Sequence, residues 1–173
     1  GMYSATGVLS ALLHRERTGE GQHIDMALLD VQLAALANQN LNYLTTGKPP
    51  RRYGNAHPNI VPYQVFKSSN GSFVLAVGND QQFRKFCTAS RLQVLCDDPR
   101  FITNTDRLEN RDALIPIVAE RLAQEPTEHW IALLEPIGVP CASINRLDQA
   151  FVHPQVVHRE LQINLPHTTG KTV

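Results

Sequence analysis

Residues 15–30 read Arg15-Glu16-Arg17-Thr18-Gly19-Glu20-Gly21-Gln22-His23-Ile24-Asp25-Met26-Ala27-Leu28-Leu29-Asp30. Thr18-Gly19 is a helix stop, and the alternation from Gln22 to Ala27 puts Ile24 and Met26 on one face and His23 and Asp25 on the other, which predicts a strand. Upstream, Met2, Ala5, Leu9, Leu12 and Leu13 recur at helical spacing with Val8 beside them, so residues 1–17 are expected to be helical. Arg15 and Arg17 suit the negative end of that helix dipole. Gly7 costs this helix roughly 1 kcal/mol against Ala, so close packing is expected there. No capping residue precedes the helix, which reads as cut from something longer. Downstream, Leu33, Leu36, Ala37, Leu41 and Leu44 predict a second long helix, stopped at Gly47 before Pro49-Pro50. Helix, loop, strand, helix is half of an α/β unit, and its one strand has edges that need partners.

Lys48 to Pro62 holds four prolines and the pair Arg51-Arg52, the composition of a linker or a binding loop. Tyr63–Lys67 and Ser72–Gly78 read as two strands joined at Ser68-Ser69-Asn70-Gly71, where Asn-Gly tolerates positive φ. Asp80 is expected to cap a helix that buries Phe83, Phe86 and Cys87. A further helix is expected over Arg111–Ala123, kinked at Pro116 or starting after it. Thr127 opens another, with Trp130, Leu133 and Leu134 inward. Val139–Ile144 reads as a strand and Leu147–Val152 as a short helix ended by His153-Pro154. Residues 62–152 therefore read as a compact α+β domain.

The 173 residues carry 16 basic and 16 acidic side chains, so no global field draws the chain to nucleic acid or a membrane. With 42% hydrophobic and 18% charged residues the composition is that of a globular protein. The first helical segment is too short and too polar to span a bilayer and lacks the layout of a signal peptide. Three widely spaced cysteines, Cys87, Cys96 and Cys141, form no Cys-x-x-Cys pair and read as reduced thiols in a cytosol-like compartment.

Residue chemistry leaves several candidates. Asp25 and Asp30 offer carboxylates for nucleophilic or base catalysis; the ordinary reading is that Asp30 caps a helix and Asp25 orders the turn before it. Arg51 and Arg52 can grip a carboxylate or phosphate, or simply form a solvated linker face. His57-Pro58 is either part of a binding loop or a linker turn. No His-x-x-x-His or Cys-x-x-Cys spacing supports a metal site, and Gly19-Glu20-Gly21 is too short for a phosphate loop.

The pattern Arg-x-x-Thr-Gly-x-Gly-Gln-x-Ile-Asp, a small residue, then Leu-Leu-Asp resembles a signature of the class III CoA-transferases. A second block, Gly54-Asn55-Ala56-His57-Pro58-Asn59-Ile60-Val61-Pro62-Tyr63 followed by Val77-Gly78-Asn79-Asp80, sits in that family's order. Asp98-Pro99-Arg100-Phe101, Asn104, Arg107, Asn110, Trp130, Gly138-Val139-Pro140 and His153-Pro154-Gln155 extend the resemblance to about Glu160. Asn38–Leu44 with Pro49–Tyr63 is similar to the branch that moves CoA from succinyl-CoA to dicarboxylic acids.

The resemblance implies an α/β fold: a helix-strand-helix remnant of a Rossmann-like large domain followed by a small α/β domain. On that map residues 1–46 end a large-domain segment, 47–61 are a linker or lid loop, 62–152 the small domain, and 153–173 the start of a return segment. It also implies a nucleophilic Asp, in an Asp-x-x-x-Gly run upstream of residue 1, that forms an acyl-aspartyl intermediate. No catalytic residue is then expected within these residues, and the chain by itself is expected to be inactive. His57, Pro58, Asn59 and Ile60 would lie on a loop covering the intermediate; several relatives have a run of glycines there, and some branches of the family share the His-Pro version. Leu28, Arg51 and Arg52 would be contacts for substrate or CoA. Coenzyme A is a substrate, with no covalently bound cofactor and no metal. The expected partners are an acyl-CoA, a carboxylic acid and a second copy of the chain, with no nucleic acid or membrane. Two alternatives remain open: a non-catalytic assembly module built on the same fold, and an alpha-methylacyl-CoA racemase-type enzyme.

Overall fold

The computed structural model describes residues 1–166 and 168. The expected return segment, 153–173, extends past them, and its residues 167 and 169–173 lie outside the described residues. The chain divides into two compact units, Gly1–Arg52 and Tyr53–Val173. The fold combines helices with a small antiparallel sheet, as the α/β reading requires. Among the described residues no helix is long and apolar enough to cross a membrane.

In the first unit, helix α1 spans Met2–Thr18 and ends as predicted, with Gly19 in the left-handed region at φ 81 and its N–H on the Arg15 carbonyl at 2.8 Å. The segment expected to be a strand, 22–27, forms none. Its neighbours in this unit are helices, so no second strand offers a hydrogen-bonding edge. The alternation is nevertheless real: Ile24 and Met26 both approach Gly7 of α1, with Met26 Cε 3.4 Å and Ile24 Cγ2 3.6 Å from where a Cβ would stand. Gly7 is the close-packing position that its cost in the helix implied.

The second long helix is two helices, α2 (Leu28–Ala35) and α3 (Asn38–Thr46). Ala37 breaks them at φ 43, a conformation that interrupts the helical hydrogen-bond ladder. The Asn40 side-chain amide donates to the Leu33 carbonyl across the break. Asp30 does not cap α2. Ala27 holds the cap position, and Asp30 lies in the first turn, where a carboxylate suits the positive end of the dipole. Gly47 ends α3 at φ 68. No side chain of α1, α2 or α3 is buried; Leu28 is 90% exposed and Leu44 76%.

The second unit holds the core. Strands β1 (Tyr63–Lys67), β2 (Ser72–Ala76) and β3 (Cys141–Ser143) form an antiparallel sheet in the order β1-β2-β3, registered Val65 to Val74 and Val74 to Ala142. Phe66, Phe73 and Leu75 enter the core from this sheet. Helix α4 (Asp80–Ala89) adds Phe83, Phe86 and Cys87, and burial raises the Cys87 thiol pKa. Asn79, one residue before the expected cap, accepts the Gln82 N–H at 2.9 Å. That frees the Asp80 carboxylate to meet Arg107. A helix missed by periodicity, α5 (Asn104–Glu109), opens with a capping box between Thr103 and Asp106. It leads into α6 (Arg111–Leu122), which runs through Pro116 and contributes Leu114, Val118 and Leu122. In α7 (Thr127–Leu134), Trp130 is fully buried and donates its indole N–H to the Leu122 carbonyl at 2.9 Å. Leu134 is buried, and Leu133 packs partly against the core. The chain continues through α8 (Leu147–Phe151) and α9 (Pro154–His158).

The hairpin joins its strands through Ser68–Gly71 as expected, but without the positive φ that Asn70-Gly71 tolerates. Lys67 pairs with Ser72, which leaves four residues in the loop, and neither Asn70 nor Gly71 has positive φ. Asn70 acts at a distance. Its Oδ1 accepts the Thr127 N–H at 3.0 Å, and its Nδ2 donates to Glu128 at 2.9 Å, so the hairpin caps α7. Pro126, at the cap position itself, makes no side-chain cap bond. Replacing Asn70 by Ala is expected to cost about 1–2 kcal/mol, read as a lower urea midpoint at unchanged slope.

Arg107 is 0% exposed. Its Nε donates to the Val61 carbonyl at 2.8 Å, Nη1 to the Phe101 carbonyl at 3.1 Å, and Nη2 to Asp80 at 2.9 Å. The guanidinium also lies 4.4 Å from the centre of the Phe83 ring. Arg107→Ala strips these oxygens of their donor and opens a void, so a loss of about 3–5 kcal/mol is expected in the same denaturation experiment. A loss below about 1 kcal/mol would show that the site is not sealed from water.

Candidate functional site

Residues 53–62 form a loop between the two arginines and β1, and its path is set by side chains from α5 and α6. Gly54 turns the chain at φ 63. Asn55 Oδ1 accepts the Val65 N–H at 2.9 Å, which joins the start of the loop to the sheet. His57 donates its backbone N–H to the Tyr63 carbonyl at 2.8 Å, and its ring stacks on Tyr63 with centroids 5.1 Å apart and planes 12° from parallel. The Asn59 N–H donates to His57 Nδ1 at 3.1 Å. The loop ends in a cis peptide between Val61 and Pro62.

Three side chains at positions 104, 107 and 111 share one side of the α5–α6 pair and hold this loop by its backbone. Asn104 donates to the Asn59 carbonyl at 2.9 Å and accepts the Val61 N–H at 3.2 Å. Arg107 takes the Val61 carbonyl. Arg111 donates through Nη2 to the carbonyls of His57 at 2.7 Å and Pro58 at 3.1 Å, and its guanidinium lies 5.2 Å from the centre of the Tyr53 ring. Each of these bonds to the loop goes to the main chain, so its path is specified by its backbone. Burial, and secondly the Arg111 charge, lower the proton affinity of His57 below that of an ordinary imidazole.

The structure therefore gathers His57, Pro58, Asn59 and Ile60 over Asn104, Arg107 and Arg111. Leu28, Arg51 and Arg52 belong to the first unit: Leu28 is the first residue of α2, and both arginines are exposed. Asp25 and Asp30 are exposed there too. Residue chemistry did not single out Arg111 or Asn104 as loop anchors. Asn104, Arg107 and Arg111 stand at i, i+3 and i+7, but residues 103–112 are polar except for Leu108, so spacing alone did not set these three apart.

Comparison with known proteins places the chain in a family. A model of CoA-transferase family III matches residues 1–173, the whole chain. The chain is 43% identical over all 173 residues to a succinate–glutarate CoA-transferase of Agrobacterium fabrum, and 40% identical over 172 residues to a human succinyl-CoA:glutarate CoA-transferase. It spans 43% and 39% of the lengths of those two relatives. Among solved structures, a CaiB/BaiF family protein of Brucella suis is 43% identical with a TM-score of 0.75; the match covers 100% of this chain and 48% of that one. A protein of M. tuberculosis at 25% identity gives a TM-score of 0.81, again over 100% of this chain and 45% of the other. With the family model matching from the first residue to the last, the chain belongs to CoA-transferase family III.

Proposed function

We propose that these residues are part of an enzyme that moves CoA from succinyl-CoA to a dicarboxylic acid, with glutarate the first acceptor to try. The observation that carries this reading is the whole-chain likeness to two relatives named for that exchange. In the proposed reaction an Asp carboxylate attacks the thioester carbonyl, the C–S bond breaks, and CoA leaves as the thiolate while a mixed anhydride forms. The CoA thiolate then attacks the aspartyl carbonyl, breaking its anhydride C–O bond, so that the donor acid leaves as a carboxylate and an aspartyl–CoA thioester forms. The acceptor carboxylate attacks that thioester and expels the thiolate to give a second anhydride, and the thiolate attacks the acceptor's acyl carbonyl, which forms the new thioester and frees the Asp carboxylate.

Residues 62–152 serve in this reading as the small domain and residues 1–46 as the end of a large-domain segment. The loop carrying His57, Pro58, Asn59 and Ile60 shields the anhydride from water, while Leu28, Arg51 and Arg52 contact substrate or CoA. The reactive Asp belongs to an Asp-x-x-x-Gly run ahead of Gly1, which leaves Asp25 and Asp30 with structural roles. The enzyme works in the cytosol as a dimer, joined through the exposed leucines of residues 1–46.

Intact-mass spectrometry of the purified 173-residue chain after incubation with succinyl-CoA tests the assignment of the nucleophile. No hydroxylamine-sensitive adduct is expected; an adduct mapped to Asp25 or Asp30 would place the nucleophile inside these residues instead. A longer chain carrying the Asp-x-x-x-Gly run before Gly1 is expected to make glutaryl-CoA from succinyl-CoA and glutarate. If that longer chain exchanges no CoA with any dicarboxylic acid, the functional reading fails.

A further inference from the structure

His57 is fixed on every side but one. Tyr63 covers its ring face, its backbone is bonded to the Tyr63 carbonyl and to Arg111, and its Nδ1 accepts the Asn59 N–H. A ring nitrogen that accepts a hydrogen bond carries no proton, so the neutral imidazole must hold its proton on Nε2. The lowered proton affinity of the ring keeps that neutral form in place at neutral pH. Nε2 has no hydrogen-bond partner among the described residues. It is also not a sealed orphan: among the described residues the buried side-chain atom left without a partner is Gln39 Oε1. The loop thus presents one oriented N–H donor that reaches solvent and serves no structural bond.

We infer that His57 donates this Nε2–H to a carboxylate oxygen of the acceptor acid, and that Arg111 is the positioning residue that holds the loop carbonyls so the ring keeps its direction. The inference deepens the transferase reading and rests on it. A neutral donor suits the task chemically. The acceptor must remain a carboxylate to act as a nucleophile, and an imidazole N–H binds an anionic oxygen without giving up its proton. An imidazolium in the same place could transfer a proton to the carboxylate and quench it. The fixed geometry also lowers the ordering cost of the contact, since the donor is in position before the acid arrives.

Two experiments bear on this. In long-range nitrogen–proton spectra of the 173-residue chain at pH 7, His57 is expected to show the Nε2–H tautomer. A Nδ1–H tautomer or a doubly protonated ring overturns the inference. In the whole protein, His57→Phe keeps a flat ring against Tyr63 but removes the donor, and is expected to raise the KM for glutarate about tenfold to a hundredfold with a smaller change in kcat. His57→Gln, whose amide places an N–H near the position of Nε2, is expected to recover most of that loss. Arg111→Lys is expected to raise KM by an intermediate amount. A merely structural role predicts equal losses for Phe and Gln, and that result, or an unchanged KM in His57→Phe, refutes the donor assignment while leaving the transferase reading intact. If the unmodified protein shows no CoA exchange with glutarate or another dicarboxylate, the transferase reading fails and the inference falls with it.

Discussion

A guanidinium sealed inside a protein must have its donors matched by oxygen, and Arg107 is matched by three separate segments at once. It reaches the end of the loop at Val61, the turn at Phe101 and Ile102, and the first residue of α4 at Asp80. Two of those segments offer main-chain carbonyls, which cannot be replaced by moving a rotamer. The charge is therefore tolerable only if the loop, the turn and the helix arrive together. Phe83 closes over the guanidinium from the α4 side, so the apolar core and the polar anchor share one wall. The half-exposed Asp80 carboxylate balances the charge without being buried deeply itself. Through Arg107 the core dictates where residue 61 lies, and Asn104 and Arg111 carry the same control back to residues 59, 58 and 57.

Much of the second unit was legible because its signals are local. The hairpin strands, the apolar face of α4 and the inward side of α7 follow from alternation or helical spacing around large apolar residues, and burial of Phe66, Phe73, Phe86 and Trp130 agrees with that pattern. What escaped was set by partners distant in sequence. The connection Ser68–Gly71 was readable, but not that Asn70 would cap a helix 57 residues away. Asp80 has the chemistry of a cap, yet Asn79 takes that role while Asp80 answers Arg107. Helix α5 is too short to show a period, although its capping box, Thr103 with Asp106, was written in the sequence. At the candidate site, the loop was visible from its composition, but the anchors were not, because main-chain acceptors leave no trace in a side-chain pattern.

The first unit shows the opposite balance. Its helix stops at Gly19 and Gly47 were readable from one residue each, while the path between them was not. Gln22–Ala27 has the alternation of a strand, and the alternation does place Ile24 and Met26 against Gly7, but strand identity needs a hydrogen-bonding neighbour as well as a pattern. Helical periodicity across residues 33–44 likewise gave the correct residue class and the wrong continuity, since the reversal at Ala37 is a backbone event. None of the helical side chains of this unit is buried, so its leucines draw little of their possible stabilisation from within the unit. Periodicity reports which face of a helix is apolar. It is silent on what covers that face.

The way the loop is held bears on what kind of chemistry it can serve. A loop fixed through its side chains presents bare backbone to a ligand; one fixed through its carbonyls presents side chains. Asn104, Arg107 and Arg111 all bind backbone atoms of residues 57–61, which commits the main chain and leaves the His57 ring edge exposed to act. Gly54, at φ 63, turns the chain just before the anchored stretch. The stretch His57-Pro58-Asn59-Ile60 is thus held in one direction by its backbone bonds to Asn104, Arg107 and Arg111.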